Sequence, residues 1–343
     1  MIHGTSSTGQ APWRAELAAA VCDPEELLRA LELPSDLLPA ARRAHHLFPL
    51  RVPRAYLARI TPGDPQDPLL RQILPLDLEE VIAPGDSRDP VGDLAAQLVP
   101  GVLHKYEGRV LLTATGACAI HCRYCFRRHF PYAKANAARD RWRPAVAHLA
   151  ADPSIREVIL SGGDPLTLGD DKLAELTRAL KGVPHIKRLR LHTRVPVVIP
   201  SRVDEALLDW LGRTSLSVVM VLHVNHAREI DEAVAGACAR LRKAGVTLLN
   251  QSVLLAGVND DAETLTQLSE RLFEAGVLPY YLHMLDRVEG AAHFAVEEAS
   301  AMGLLEALRV RLPGYLVPRL VREEAGASAK LPVLAVGAGA RSR

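Results

Sequence analysis

Residues 109–126 read RVLLTATGACAIHCRYCF, a strand-forming run followed directly by three cysteines within eight residues, Cys118, Cys122 and Cys125. The strand delivers all three thiols into one loop at its C-terminal end. Three thiolates can hold three irons of a cubane and leave the fourth iron open to another ligand, whereas an electron-transfer ferredoxin supplies four cysteines. Structural zinc also needs four ligands, and His121 or His129 would complete the set only at an unusual spacing. The stretch therefore reads as a [4Fe–4S] site with one open iron, against zinc or accidental clustering. Cys22 and Cys238 read as buried small hydrophobes, the latter beside Val234 and Leu241 on an apolar helix face.

Working outward, further β-rich runs near 157–161, 187–193, 216–224, 247–255 and 278–285 alternate with segments of helical period. The intervals between them, such as DDKLAELTRAL, EIDEAVAGACARLRKAG and DAETLTQLSERLFEAG, space apolar residues by three and four. Six βα units imply parallel strands with right-handed crossovers, an α/β partial (βα)6 barrel over 101–313. Functional groups then belong at the C-terminal ends of the strands. Residues 1–100 read as helical and loop-rich, wrapping the core, with a helix over 24–32 started by the Asp23-Pro24-Glu25-Glu26 cap. Within them, 61–100 is rich in Pro, Asp and Gly (PGDPQDP, APGDSRDP) and reads as a wrapping linker. The C-terminal extension, 314–343, offers one more strand and a small-residue end expected to be disordered.

Composition narrows the function. With 41 basic and 40 acidic residues the chain has no global field to draw it to nucleic acid or an anionic membrane, so a small, locally recognised substrate is expected. The start lacks a secretory pattern and no apolar run spans a membrane, which points to the cytoplasm and to reduced thiols. Five cysteines, an odd number, do not make a secreted disulfide framework.

A CxxxCxxC loop after the first strand of such an array resembles the radical S-adenosylmethionine superfamily, in which the methionine amino and carboxylate groups chelate the open iron. Alone, Ser161-Gly162-Gly163-Asp164-Pro165 is a loop turn; one strand after the cysteines, it resembles the superfamily's glycine-rich motif that meets the methionine amino group. The stretches CRYCFRRHF, ILSGGDPL, HTRVPVVIPSR, LHVNHAREID, LNQSVLLAGVND, AAHF and GYLVPRL together resemble the lysine 2,3-aminomutase family. VPGVLHKY, RRHFPY and LPYYLHMLDRVEGAAHF are most similar to its bacterial branch that makes (R)-β-lysine for attachment to elongation factor P.

The resemblance implies pyridoxal 5′-phosphate carried as an imine on Lys330, seven residues after Glu323. By local sequence alone Lys330 is a solvated lysine on a tail. Around the coenzyme the family places Lys105, Tyr106, Arg109, His223 and Asn225, with Lys105 standing where an Arg is usual, and Gln251 is a further implied cofactor-binding residue. His223 also reads as a satisfied barrel histidine. Arg127 matches the clamp on the substrate carboxylate, and Asp286 and Glu323 match two acids that hold the ε-ammonium of lysine, Glu323 in place of an Asp. The bland readings are a basic surface run for Arg123, Arg127 and Arg128, preferred for Arg128, and surface acids for the other two. No cysteine follows Cys238, so the zinc of the longer family members is not expected. The implied partners are free L-lysine, a flavodoxin or ferredoxin as electron donor and, functionally, elongation factor P with its lysyl-transferring enzyme. A radical aminomutase for another amino acid and a non-catalytic iron–sulfur sensor are the alternatives.

Overall fold

The computed structural model describes residues 11–334. Among these, ten strands form one sheet in chain order: β1 Gln97–Val99, β2 Val102–Tyr106, β3 Arg109–Thr115, β4 Glu157–Gly162, β5 Arg188–Thr193, β6 Ser217–Leu222, β7 Thr247–Val253, β8 Leu278–His283, β9 Arg319–Arg322 and β10 Leu331–Pro332. From β3 to β9 every neighbouring pair is parallel, while β1, β2 and β3 form antiparallel pairs at one edge and β9 and β10 do so at the other. β1 and β10 do not pair, so the sheet stays open.

The parallel order follows from the crossovers. Helices Arg143–Ala151, Asp170–Leu180, Glu205–Arg213, Glu232–Lys243 and Ala262–Glu274 fill the five connections from β3 to β8, and Glu298–Arg311 fills the next. Three of them start alike: Asp204, Asp231 and Asp261 each accept from the backbone N–H three residues on, at 2.9 Å. Such a cap contributes about 1 kcal/mol and fixes where the loop ends. Each helix then buries one stripe, as in Leu173, Leu176 and Leu180 or Leu265, Leu268 and Leu272. Covered by packed elements, β4 is buried from Glu157 to Ser161 and has no alternation to show.

Three strands end earlier than their apolar runs. β6, β7 and β8 stop at Leu222, Val253 and His283, so residues 223–224, 254–255 and 284–285 leave the ladder and enter loops at the C-terminal ends. β9 adds a seventh parallel strand where one more strand is expected in the tail. The last residues, 335–343, lie outside the described set.

The helix begun at Asp23 runs Pro24–Ala30, with Asp23 accepting from Glu25 N at 3.2 Å. The segment 61–100 departs from a loose linker. It holds a short helix at Pro68–Arg71, a 3-10 turn at Asp77–Glu80 and the first strand of the sheet, and it buries Asp67, Gln72, Glu79 and Asp93. A proline- and aspartate-rich stretch does not form long elements, but each of these polar side chains has a partner in the barrel or its own loop. Cys238 is buried as expected, whereas Cys22 is exposed, its thiol donating to Ala20 O at 3.5 Å. No described helix is long and apolar enough to cross a membrane.

Candidate active site

The loops at the C-terminal ends of the parallel strands enclose a cavity of about 460 Å³. Its wall includes Cys118, Cys122, Cys125, Ser161, Gly162, Gly163, Asp164, Lys105, Tyr106, Arg109, Arg127, His223, Gln251, Asp286, Glu323 and Lys330. Residues as far apart in sequence as Phe48 and Lys330 thus face one space.

The cysteine loop is held from outside the barrel. His121 N donates to Arg51 O and Arg123 N to Gln72 O, both at 2.9 Å. Arg123 is fully buried, donating from Nε and Nη2 to Glu79 at 2.8 and 2.6 Å and from Nη1 to Phe48 O at 2.8 Å. Arg128 shares the same carboxylate, Nη2 to Oε2 at 2.6 Å, and donates to Gly290 O at 2.9 Å. The surface reading of Arg128 is therefore overturned: it is a buried tie between the cysteine loop and the wrapping segment. Burial, then the neighbouring thiol of Cys125, raises the pKa of Cys118; burial and Cys122 push Cys125 up to about 11. Cys118 and Cys125 are thus disfavoured as free thiolates, a penalty that a cationic cluster on these free thiols would reverse.

Two glycines let the loop after β4 lie directly on the cysteine loop. A Cβ on Gly163 would stand 2.2 Å from Ala117 O, and Gly162 has φ +116°. The contact is sealed by Gly163 N to Thr115 O at 2.7 Å and Asp164 N to Ala117 O at 2.8 Å. Asp164 itself does not offer its carboxylate to a ligand ammonium. It accepts from Thr193 Oγ1 at 2.6 Å, Arg194 N at 2.7 Å, Leu166 N at 3.1 Å and Val195 N at 3.2 Å, so both oxygens brace the loop after β5. Burial still pushes its pKa up to about 6 against those four donors.

A second string of groups runs Arg127, Asp93, Lys105, Glu323, Lys330. Arg127 Nε donates to Asp93 Oδ2 at 2.6 Å and Nη1 to Ser161 Oγ at 3.0 Å. Lys105 Nζ reaches Asp93 Oδ1 at 2.6 Å and Glu323 Oε1 at 2.9 Å, and Lys330 Nζ donates to Glu323 Oε2 at 2.6 Å. Glutamate in place of aspartate is long enough to touch both lysines. Burial works to raise the pKa of Glu323, but Lys330 and Lys105 prevail and hold it at about 2. Asp286, joined by no ion pair to another described residue, is pushed up to about 7 by burial and then by the charge of Glu323.

Asn225 does not reach the cavity. Its amide donates to Tyr124 Oη at 2.7 Å and Gln72 Oε1 at 3.1 Å and accepts from Val253 N at 2.8 Å, tying the loops after β6 and β7 together. The Arg109 guanidinium lies 4.6 Å over the Tyr106 ring. Burial first, then Arg194, lowers the pKa of His223 to about 4, and its Nε2 has no partner among the described residues. Gln251 Oε1 is likewise unpaired. Buried polar atoms without partners facing a cavity fit a polar ligand there.

Several site residues were not foreseen. His192, next to last in β5, and His283, last in β8, line the cavity with unpaired Nε2 atoms and are kept neutral mainly by burial. Their strand-end positions were the available signal. Asp93 had none, being one aspartate among several in an irregular stretch, and only the fold brings it between Arg127 and Lys105.

The Radical SAM superfamily model matches residues 112–268. The chain is 51% identical over 322 residues to a protein named L-lysine 2,3-aminomutase from Escherichia coli (strain K12), covering 94% of each chain. It is 50% identical over 314 residues to one of the same name from Haemophilus influenzae, covering 92% and 93%. With the L-lysine 2,3-aminomutase of Clostridium subterminale the identity is 34% over 323 residues, 94% of this chain and 77% of the relative.

Proposed function

The chain belongs to the lysine 2,3-aminomutase family of radical S-adenosylmethionine enzymes, and on that premise we propose that it converts L-lysine to (R)-β-lysine with pyridoxal phosphate on Lys330. One observation carries the reading: the three thiols, the glycine loop, Lys330 and the polar groups suited to both ends of an amino acid line a single cavity. When bound, the cluster with S-adenosylmethionine supplies a carbon-centred radical, and pyridoxal phosphate a carbonyl that carries the migrating amine.

The chain's own groups then have separable tasks. Cys118, Cys122 and Cys125 would hold the irons of the cluster. Lys330 Nζ, donating to Glu323 Oε2 at 2.6 Å, is the amine that would carry the coenzyme's carbonyl. Arg109 over the Tyr106 ring forms a cationic and aromatic edge suited to a phosphate, with Lys105 beside it held by Asp93 and Glu323, while His223 and Gln251 offer neutral polar atoms. Arg127 has Nε and Nη1 engaged, so Nη2 remains for a substrate carboxylate. Asp286 suits the far ammonium, whose arrival would draw its carboxyl into the charged form. Two charge-assisted contacts at opposite ends fix the length of the amino acid and hold C3 within reach of the radical. Enclosure by the wrapping segment and the tail keeps that radical from water.

A flavodoxin- or ferredoxin-type protein is the proposed donor, and β-lysine made here is proposed to serve elongation factor P through its lysyl-transferring enzyme. The support for that link is the likeness of VPGVLHKY and LPYYLHMLDRVEGAAHF to the branch that serves it. A second reading, an aminomutase for another amino acid, is favoured by one observation: Glu323 is already committed to two lysines, leaving Asp286 as the free acid. Mass spectrometry of products from each amino acid, with and without pyridoxal phosphate, tests both. β-Lysine formed only with the coenzyme is the expected result. 5′-Deoxyadenosine release with no lysine isomer would favour the second reading, and a colourless anaerobic preparation would overturn both.

A further inference from the structure

Arg194 follows β5 in the loop braced by Asp164. Its guanidinium is 5% exposed and held on five sides. Nη1 donates to Cys122 Sγ at 2.8 Å and Tyr124 Oη at 2.9 Å, and Nη2 to Gln72 Oε1 at 2.7 Å, Glu229 Oε2 at 2.8 Å and Tyr56 Oη at 3.3 Å. Cys118 and Cys125 receive no such side-chain hydrogen bond among the described residues. The three thiols are therefore not equivalent: one carries a fixed cationic donor.

We propose that Arg194 sets the reduction potential of the cluster, making it easier to reduce by donating N–H to the Cys122 sulfur and holding a positive charge beside it. Reduction adds one electron to the 2+ cluster, giving the 1+ state; the electron comes from a low-potential one-electron donor of the flavodoxin or ferredoxin class. The added negative charge is spread over iron and sulfur, so a cation in hydrogen-bond contact with a ligand sulfur stabilises the reduced state more than the oxidised one. Glu229 offsets part of that charge, but it bonds Nη2, while Nη1 faces the sulfur. The planar fork serves Glu229 and Gln72 through Nη2 and Cys122 through Nη1 at once, and a lysine has no second nitrogen to divide these contacts. Asp164 also gains a purpose: by accepting from Arg194 N at 2.7 Å, the glycine-rich loop sets where this arginine starts. A ligand seated on that loop would thus be coupled to the cluster's donor.

The inference rests on the cluster reading and not on the coenzyme or the substrate. Its test uses the full chain, reconstituted anaerobically with iron and sulfide and without S-adenosylmethionine or pyridoxal phosphate. Parent, Arg194→Lys and Arg194→Gln are compared for iron and sulfide content, thermal unfolding, and midpoint potential in a dithionite titration followed by the electron paramagnetic resonance of the reduced cluster. With Arg194→Gln the reduced-to-oxidised ratio at a fixed potential should fall about tenfold, a shift of about 59 mV to more negative potential for a one-electron couple. Arg194→Lys, which keeps charge but loses the fork, should shift less and in the same direction. Cluster-loaded variants that titrate at the parent's potential overturn the proposal. So do folded variants that both lose their iron, since Arg194 would then be a clamp for the ligand loop. A parent that takes up no cluster instead overturns the cluster reading beneath it.

Discussion

At the residue scale, the charged groups around the cavity are balanced against one another, and that balance makes their roles separable. Lys330→Ala removes the amine that would hold pyridoxal phosphate but touches no thiol, so the iron–sulfur absorption should persist while the borohydride-reducible pyridoxal adduct disappears. A full-strength adduct on another lysine would move the assignment there. Asp286 gives a pH signature. Its carboxyl is held up to about 7, so it is protonated and a poor partner for an ammonium below that pH and charged above it. Apparent affinity for lysine should therefore rise with pH through about 7, and Asp286→Asn should flatten this limb. The same variant should lose roughly 2–4 kcal/mol in turnover efficiency, with cluster and coenzyme content unchanged. Parental efficiency in Asp286→Asn, or equal use of leucine, would place the ammonium elsewhere. Asp164 and Asn225 show the converse, since residues assigned to ligands by resemblance can have every polar atom taken by neighbouring loops.

At the scale of elements, the loops after β3, β4 and β5 act as one stack, with the cysteine loop lying on the glycine loop, which braces the Arg194 turn. The contact is backbone to backbone, which is why it tolerates no side chain. Gly163→Ala would drive a Cβ to 2.2 Å from Ala117 O and should separate the loops, lowering iron and sulfide content. Gly303, in helix Glu298–Arg311, meets nothing within 4 Å, so Gly303→Ala should instead stabilise the protein by about 0.5–1 kcal/mol, read as a higher melting temperature. Retained iron in Gly163→Ala would mean that the two loops are not coupled. Element identities were legible because the helices carry apolar stripes with aspartate caps and the strands short β-branched runs. Strand ends were not, because residues such as His223 and Asp286 follow apolar strands yet leave the ladder to face the cavity.

For the molecule as a whole, the barrel and its N-terminal wrap are joined through buried charge. Glu79 receives both Arg123 and Arg128 with no solvent contact of its own side chain. Glu79→Gln would leave two buried guanidiniums without a counter-charge and should cost about 3–5 kcal/mol of stability, measured by denaturant unfolding, along with iron retention. Little change would mean that the wrap is held by its apolar contacts. By itself the sequence determined the βα order, the α/β partial barrel and the thiol triplet, because spacing within a strand, helix or loop is local and written in order, whereas Lys330 stood out only through the family resemblance. Tertiary structure alone decided that Asp93 pairs Arg127 with Lys105, that Glu323 bridges two lysines, that Arg128 is buried and that Arg194 touches Cys122. Those contacts join loops tens to hundreds of residues apart, and a charged side chain has no periodicity from which its partner could be read.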